Sequence, residues 1–82
     1  MLEKIVENFP DEKILVADGY DDCIIGYEFK DTIRLIYSVK LIIDKLIRED
    51  GMDESDAIEH FEFNISGAWV GEQTPIFCHD DL

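Results

Sequence analysis

The sequence predicts one small α+β domain, in which a mostly antiparallel sheet of about three to four strands carries two main helices on one face. A short N-terminal helix precedes the sheet. The chain has 82 residues, 46% of them hydrophobic, which suits a single domain over residues 1–82 with a modest core. Apolar runs of strand length fill most of the first half, and two segments with the 3.6-residue period of a helix follow them.

The first half predicts a helix and three strands. Its first apolar residues recur at helical spacing until Pro10 ends the pattern: Leu2, Ile5, Val6 and Phe9. The apolar run 14–17 and the segment 23–29 are typical of a hairpin, joined by the glycine-containing turn 18–22. After a second turn, alternating side chains over 33–37 predict the third strand.

The second half predicts two helices and a short final strand. Ser38 is the expected N-cap of a helix over 39–50 that ends at Gly51, and Asp53 is the expected N-cap of the next helix. Nine apolar residues form the two expected buried stripes: Val39, Ile42, Ile43, Leu46 and Ile47, then Ala57, Ile58, Phe61 and Ile65. Residues 74–78 suit an edge strand. If the helix over 39–50 is instead a crossover connection, part of the sheet is parallel.

Charge is distributed unevenly along the chain. All seven lysines and arginines lie within the first 48 residues, together with ten carboxylates, so this part has a net charge of −3. Residues 49–82 contain ten carboxylates and no lysine or arginine, which brings the total to −13. This segregation disfavours binding to nucleic acid or to anionic membranes, and it favours either plain solvation or a basic protein partner.

The acidic half contains the candidate partner-binding residues: Asp53, Glu54, Asp56, Glu59, Glu62, Trp69 and Glu72. Side chains three or four positions apart on a helix are neighbours, so we expect Asp56, Glu59 and Glu62 to form a carboxylate row. A rigid row of this kind resembles the phosphates of a DNA strand and would fit a phosphate-binding groove of another protein. The alternative is a solvated face that serves solubility.

Trp69 lies among small residues in the segment 67–71. A tryptophan in this setting is either a core residue or an exposed anchor for a partner. If it is exposed beside the acidic helix, the two features together form a binding face with an aromatic anchor inside a charged rim.

Metal binding and catalysis are not expected. Asp18, Asp21 and Asp22 are weak candidates for a hard cation, because calcium sites collect carboxylates on glycine-containing loops, but turn chemistry also explains these residues. The cysteines and histidines lack the close ligand pairs of a zinc site. Dense acidic surroundings raise a thiol pKa, and the sequence has no P-loop, dinucleotide-binding or nucleophile-elbow motif. We therefore expect no cofactor and no enzymatic activity.

The expected location is the cytoplasm. Residues 1–10 carry charge throughout and lack the apolar stretch of a signal peptide. The longest apolar run has four residues, far from the roughly 20 that span a bilayer. Two cysteines are too few for the disulfide framework of a small secreted domain.

Three segments give the chain a family resemblance: DGYDDCIIGY over 18–27, DGM over 50–52, and DAIEHFEFNISGAWVGEQTPIF over 56–77. The pattern is a DG(F/Y) turn, an EFN segment and a GxxTPI-like ending. From Lys13 to Phe77 the chain resembles a small family of tailed-phage and prophage proteins without an assigned activity. The resemblance implies an accessory phage protein in a bacterial cytoplasm and carries over no catalytic residue.

The sequence therefore favours a non-enzymatic interaction protein whose acidic half binds a basic protein surface. A more specific version of this hypothesis is that the protein inhibits a nucleic-acid-binding host or defence protein by DNA mimicry. The alternative is a structural or regulatory accessory protein, expected to be a homodimer, whose acidic face serves only solubility.

A net charge of −13 predicts that salt stabilises the fold, because counterions screen the repulsion among the carboxylates. We expect a higher melting temperature in about 0.5 M than in about 0.02 M sodium chloride, measured by circular dichroism. A lower melting temperature at the higher salt concentration would contradict this prediction.

Overall fold

Three helices and three strands form the described part of the chain, which comprises residues 1–66 and 71–80 of a computed structural model. The elements are α1 (Leu2–Asn8), a 3-10 turn (Asp21–Cys23), β1 (Ile24–Phe29), β2 (Ile33–Ser38), α2 (Val39–Asp50), α3 (Glu54–His60), a π-helical segment (Phe61–Ile65) and β3 (Ile76–Cys78). The α+β class and the short N-terminal helix are confirmed.

β2 is the central strand of a mixed sheet with the order β1-β2-β3. β1 pairs antiparallel with β2, and β3 pairs parallel with β2 on its other side. A parallel neighbour cannot follow through a tight hairpin and needs a crossover, which α2 and α3 supply here. The structure thus adopts the crossover alternative for the helix over 39–50.

The core lies between the sheet and the two main helices. Alternate residues of β2 face it, and Ile33, Leu35 and Tyr37 are fully buried. They pack with apolar residues from α2, α3 and the π-helical segment: Val39, Ile42, Leu46, Ala57 and Phe61. The ring of Phe77 lies 5.8 Å from that of Tyr37 and 5.4 Å from that of Phe61, between centroids. These ring contacts hold β3 against both the sheet and the second main helix.

The helix boundaries follow the predicted caps. Ser38 Oγ accepts the backbone N–H of Leu41 at 3.1 Å, and Asp53 Oδ1 accepts that of Asp56 at 2.8 Å. Each bond satisfies one of the N–H groups that a helix start leaves without a partner. Gly51, with a φ of 70°, adopts the left-handed conformation that ends α2.

The predicted strand over 14–17 is wrong, and so is its hairpin with 23–29. This segment belongs to none of the described strands, and side chains far along the chain bind its backbone instead. The N–H of Ala17 donates to the Tyr37 hydroxyl oxygen at 2.8 Å, and the carbonyl of Lys13 accepts from the Gln73 side-chain amide. Tertiary hydrogen bonds at Ala17 and at Lys13, the residue before the segment, therefore hold this stretch in place of a strand ladder.

Two details of the predicted second helix also differ. Its α-helical geometry ends at His60, and a π-helical turn continues to Ile65. Ala57 and Phe61 are buried as predicted, whereas the side chain of Ile58 is 40% exposed. The predicted final strand over 74–78 is shorter, since it begins after Pro75, and it lies at a sheet edge as expected.

Replacing Tyr37 by phenylalanine should destabilise the fold by about 1 kcal/mol, because the Ala17 N–H would lose its hydrogen-bond partner at a partly buried position. Urea unfolding measures the change, and faster hydrogen exchange at the Ala17 amide would localise it. Tyr27→Phe is the matched control, since that side chain is 42% exposed. Equal stability losses in the two variants would contradict the prediction.

Candidate functional site

The candidate carboxylates differ from Asp44 and Glu49 of α2 in their electrostatic surroundings. On α2, Lys40 lies 3.6 Å from Asp44, while Lys45 and Arg48 lie 3.6 Å and 3.5 Å from Glu49. Within residues 1–66 and 71–80, no lysine or arginine lies at ion-pair distance from six carboxylates of the acidic half: Asp53, Glu54, Asp56, Glu59, Glu62 and Glu72. Their negative charge is available to a partner.

The predicted carboxylate row is divided between two faces of the helix. Asp56 and Glu59 border an open cleft beside Phe63, whereas Glu62 lies with Glu54 at a separate groove. A helix turns by about 100° per residue, so a spacing of three falls about 60° short of a full turn. Such a step separates the directions of Asp56 and Glu59 within α3, and Glu62 lies beyond α3 in the π-helical segment. The predicted row of three carboxylates is therefore divided between two cavities.

The first face is built around Phe63, whose side chain is 77% exposed. Five further residues line this Phe63 cleft: Met52, Asp56, Glu59, His60 and Asn64. The Asn64 amide nitrogen lies 3.3 Å from His60 Nδ1, which links the two polar side chains along the helix. Sequence analysis missed Phe63, although its position outside the apolar stripe was a usable signal.

The second face is a groove of about 330 Å³ between α2 and the helix that follows it. Its floor consists of five apolar residues: Val39, Ile43, Ile47, Ile58 and Phe61. Its rim consists of five polar or charged residues: Lys40, Asp44, Glu54, Glu62 and His79. This α2–α3 groove combines apolar surface with three carboxylates and is the second candidate contact region.

All five floor residues were predicted to be core residues. The structure buries Val39, Ile42 and Leu46 of α2, but leaves Ile47 36% exposed and Ile43 half-buried. The apolar stripe of α2 is thus wider than its contact with the sheet. That excess width, together with Ile58 on the facing helix, was the sequence signal for the groove.

The remaining candidates lie elsewhere. Asp53 is the N-cap of α3, where its carboxylate already accepts a hydrogen bond. Glu72 is exposed in the turn before β3 and lines neither the groove nor the Phe63 cleft. Trp69 lies outside the described residues, so its predicted role as core residue or anchor stays a prediction.

The turn that contains the weak metal candidates is tied to α2 by a lysine. Lys45 Nζ lies 2.9 Å from Asp22 Oδ1 and 5.9 Å from the centre of the Tyr20 ring. The hydrogen bond from this ammonium group lowers the pKa of Asp22 and raises the pKa of Lys45. In the described ranges, no three side chains among histidine, cysteine, aspartate and glutamate are placed to hold a metal ion.

Cys23 is the buried thiol next to this turn. Burial raises its pKa to about 11, and the nearby Asp22 carboxylate acts in the same direction. Because the thiolate is the reactive form of cysteine, a thiol with this pKa is a poor nucleophile near neutral pH.

The end of β3 is fixed beside the α2–α3 groove by Ser38. The hydroxyl of Ser38 is fully buried and donates to Asp80 Oδ1 at 2.8 Å, while it caps α2. This bond holds the segment that places His79 on the groove rim. It also lowers the pKa of Asp80, because a hydrogen bond to a carboxylate favours its charged form.

None of the helices among the described residues combines the length and the apolar character needed to cross a membrane. In comparisons with protein-family models, with curated proteins and with solved structures, the chain matches none. The resemblance to a tailed-phage family stays a prediction.

The lowered pKa of Asp80 predicts a pH-dependent contribution to stability. A depressed carboxyl pKa stabilises the fold above the unfolded value, near 3.8, and this contribution is lost as the pH falls through the lower folded value. Relative to wild type, Asp80→Asn should therefore cost more stability at about pH 6 than at about pH 3 in urea unfolding.

Asp31→Asn is the control for this experiment, because it removes a carboxylate from the exposed turn between β1 and β2 without touching the bond to Ser38. It reports the general effect of removing one negative charge. The prediction fails if Asp80→Asn and Asp31→Asn change stability equally at both pH values.

Proposed function

We propose that this protein is a non-enzymatic interaction protein that binds a basic protein surface through its acidic C-terminal half. The observation that carries the proposal is the absence of ion-paired lysine or arginine around the six candidate carboxylates in residues 1–66 and 71–80. Carboxylates that form no ion pair within the chain attract the lysines and arginines of a binding protein over a long range. This attraction speeds association at low salt.

Phe63 supplies the second element of a binding surface. A side chain that is 77% exposed leaves a large apolar area in contact with water. Burial of that area under a partner protein is therefore favourable. Asp56 and Glu59 lie beside it in the same cleft. An aromatic anchor inside a charged rim is the usual anatomy of a specific interface.

A non-enzymatic role agrees with the state of the buried thiol. The pKa of Cys23, raised to about 11, keeps the sulfur protonated and poorly nucleophilic near neutral pH. The proposal for the partner is a nucleic-acid-binding protein of a bacterial host, whose phosphate-binding surface would accept the carboxylates of both faces as a DNA mimic. Because these carboxylates are divided between two faces, the mimicry would be of phosphate charge and not of the regular spacing along a strand. The cytoplasm of the host, and origin from a phage, belong to the same proposal.

Charge reversal tests the proposal. Immobilised wild-type protein would capture partners from a nuclease-treated bacterial lysate at low salt, with elution by a salt gradient. The variant Glu59→Lys with Glu62→Lys samples both acidic faces. We expect it to bind the eluted partner at least about tenfold more weakly at low salt, with a smaller loss at high salt.

The matched control is Glu3→Lys with Glu7→Lys, which makes the same change in charge on two exposed residues of α1. It should bind the partner nearly as well as wild type, and competition by duplex DNA would identify a nucleic-acid-binding surface. Equal binding by wild type and the Glu59/Glu62 variant would contradict the proposal. So would equal losses in the two double variants.

A homo-oligomeric accessory protein is the second candidate, and the edge strand β1 favours it. Its residues Ile25, Tyr27 and Phe29 are 39%, 42% and 44% exposed, and Phe9 stacks on Phe29 with ring centres 4.9 Å apart. An exposed apolar edge strand is a template for pairing with another strand. Light scattering over a range of concentrations separates the candidates, because only self-association raises the mass of the pure protein.

A further inference from the structure

The α2–α3 groove has the form of a receptor for a helix. Ile43 and Ile47 are one helical turn apart on α2, and Ile58 faces the same groove from α3. Ile47 and Ile58 keep 36% and 40% of their surface exposed, so an occupant of the groove would remove further apolar area from water. An apolar channel between two helices accepts the apolar side of a third helix, which anchors at positions i, i+3 or i+4, and i+7.

The rim of the groove selects the charge of the occupant. Asp44, Glu54 and Glu62 lie on it, and its one lysine, Lys40, is paired with Asp44 at 3.6 Å. The rim therefore leaves a net negative charge toward solvent. Lysines or arginines flanking the apolar side of the incoming helix would complement it, whereas a second copy of this chain, with a net charge of −13, would be repelled.

The length of the groove sets the length of the occupant. On α2 the lining of the groove runs from Val39 to Ile47, which is about 12 Å along the axis, or just over two helical turns. A helix of similar length would present three apolar anchors to the floor and its basic residues to the two rims.

We propose that the α2–α3 groove binds a short cationic amphipathic helix of a partner protein. This inference rests on the proposed function and adds the kind of segment that the acidic surface recognises and the place where it binds. The apolar floor gives specificity, and the carboxylates on the rim give orientation and a fast association rate.

A designed peptide tests the groove without knowledge of the natural partner. The probe is a leucine–lysine peptide of about fourteen residues with leucines at the helical spacing i, i+3, i+4 and i+7. The control peptide has the same composition, but leucine and lysine alternate, so that its charge is equal and its apolar side suits a strand. Titration calorimetry at about 0.15 M salt compares their affinities, and the helical peptide should bind at least about tenfold more tightly.

A matched pair of variants locates the binding. Ile58 and Leu41 are both 40% exposed and both lie on helices, but only Ile58 belongs to the lining of the groove. Ile58→Asp should weaken binding of the helical peptide at least about tenfold, and Leu41→Asp should change it less than about twofold. Circular dichroism and urea unfolding confirm that each variant is folded, and Ile58→Ala repeats the test without a new charge.

Three results would contradict the proposal that the α2–α3 groove binds a cationic helix. The first is equal binding of the two peptides, which would indicate diffuse charge attraction. The second is an equal effect of Ile58→Asp and Leu41→Asp on the helical peptide. The third is a dimer of the wild type that Ile58→Asp dissociates, because a second copy would then occupy the groove.

None of these results bears on the Glu59/Glu62 reversal, which tests the proposed function through the natural partner. If the double variant loses partner binding and Ile58→Asp does not, the proposal of an acidic binding surface is retained and the proposal of a helix-binding groove is rejected. Unchanged binding in the double variant would reject the acidic surface itself.

Discussion

The fold depends on one buried hydroxyl group at the junction of the sheet and the first crossover helix. Ser38 is the last residue of β2, and its Oγ accepts the Leu41 N–H that begins α2 while donating to Asp80 beyond β3. A hydroxyl can donate and accept at the same time, which neither an apolar side chain nor a carboxylate can do. The central strand, the crossover helix and the returning chain therefore meet at a single side chain, and the parallel pairing of β3 with β2 is fixed there.

Local patterns were sufficient for the elements whose partners are close in sequence. The caps at Ser38 and Asp53, the glycine end of α2 and the two strands on either side of the turn 30–32 were all predicted, because each depends on residues within a few positions. The conformation of 14–17 was not, since Ala17 binds Tyr37, 20 residues away, and Lys13 just before the segment binds Gln73, 60 residues away. An apolar run of strand length carries no information about such distant hydrogen bonds, and tertiary contact then decides the conformation.

The candidate site was predictable in composition but not in shape. Composition alone indicated the carboxylates of the second half and their surplus over basic residues, yet helical spacing predicted one row for Asp56, Glu59 and Glu62. The rotation of a helix separates these residues, and it instead groups Glu54 with Ile58 and Glu62 at spacings of four. Ile58 was assigned to the core for a similar reason: periodicity identifies an apolar side of a helix, but the neighbouring elements decide how much of it is covered.

The separation of charge has a cost that a partner would relieve. The bases of α2 pair with nearby acids, while the carboxylates that follow Gly51 repel one another across a small domain whose core is modest. A cationic helix in the α2–α3 groove would lower that repulsion and cover Ile47 and Ile58 in the same event. The free energy of binding and the free energy of folding then both depend on the repulsion among the rim carboxylates, which salt screens. A ligand that neutralises these carboxylates also stabilises the folded state, because only the folded state forms the groove. A surface that served solubility alone would need the carboxylates but not the apolar floor between them, and the presence of both in one groove favours recognition.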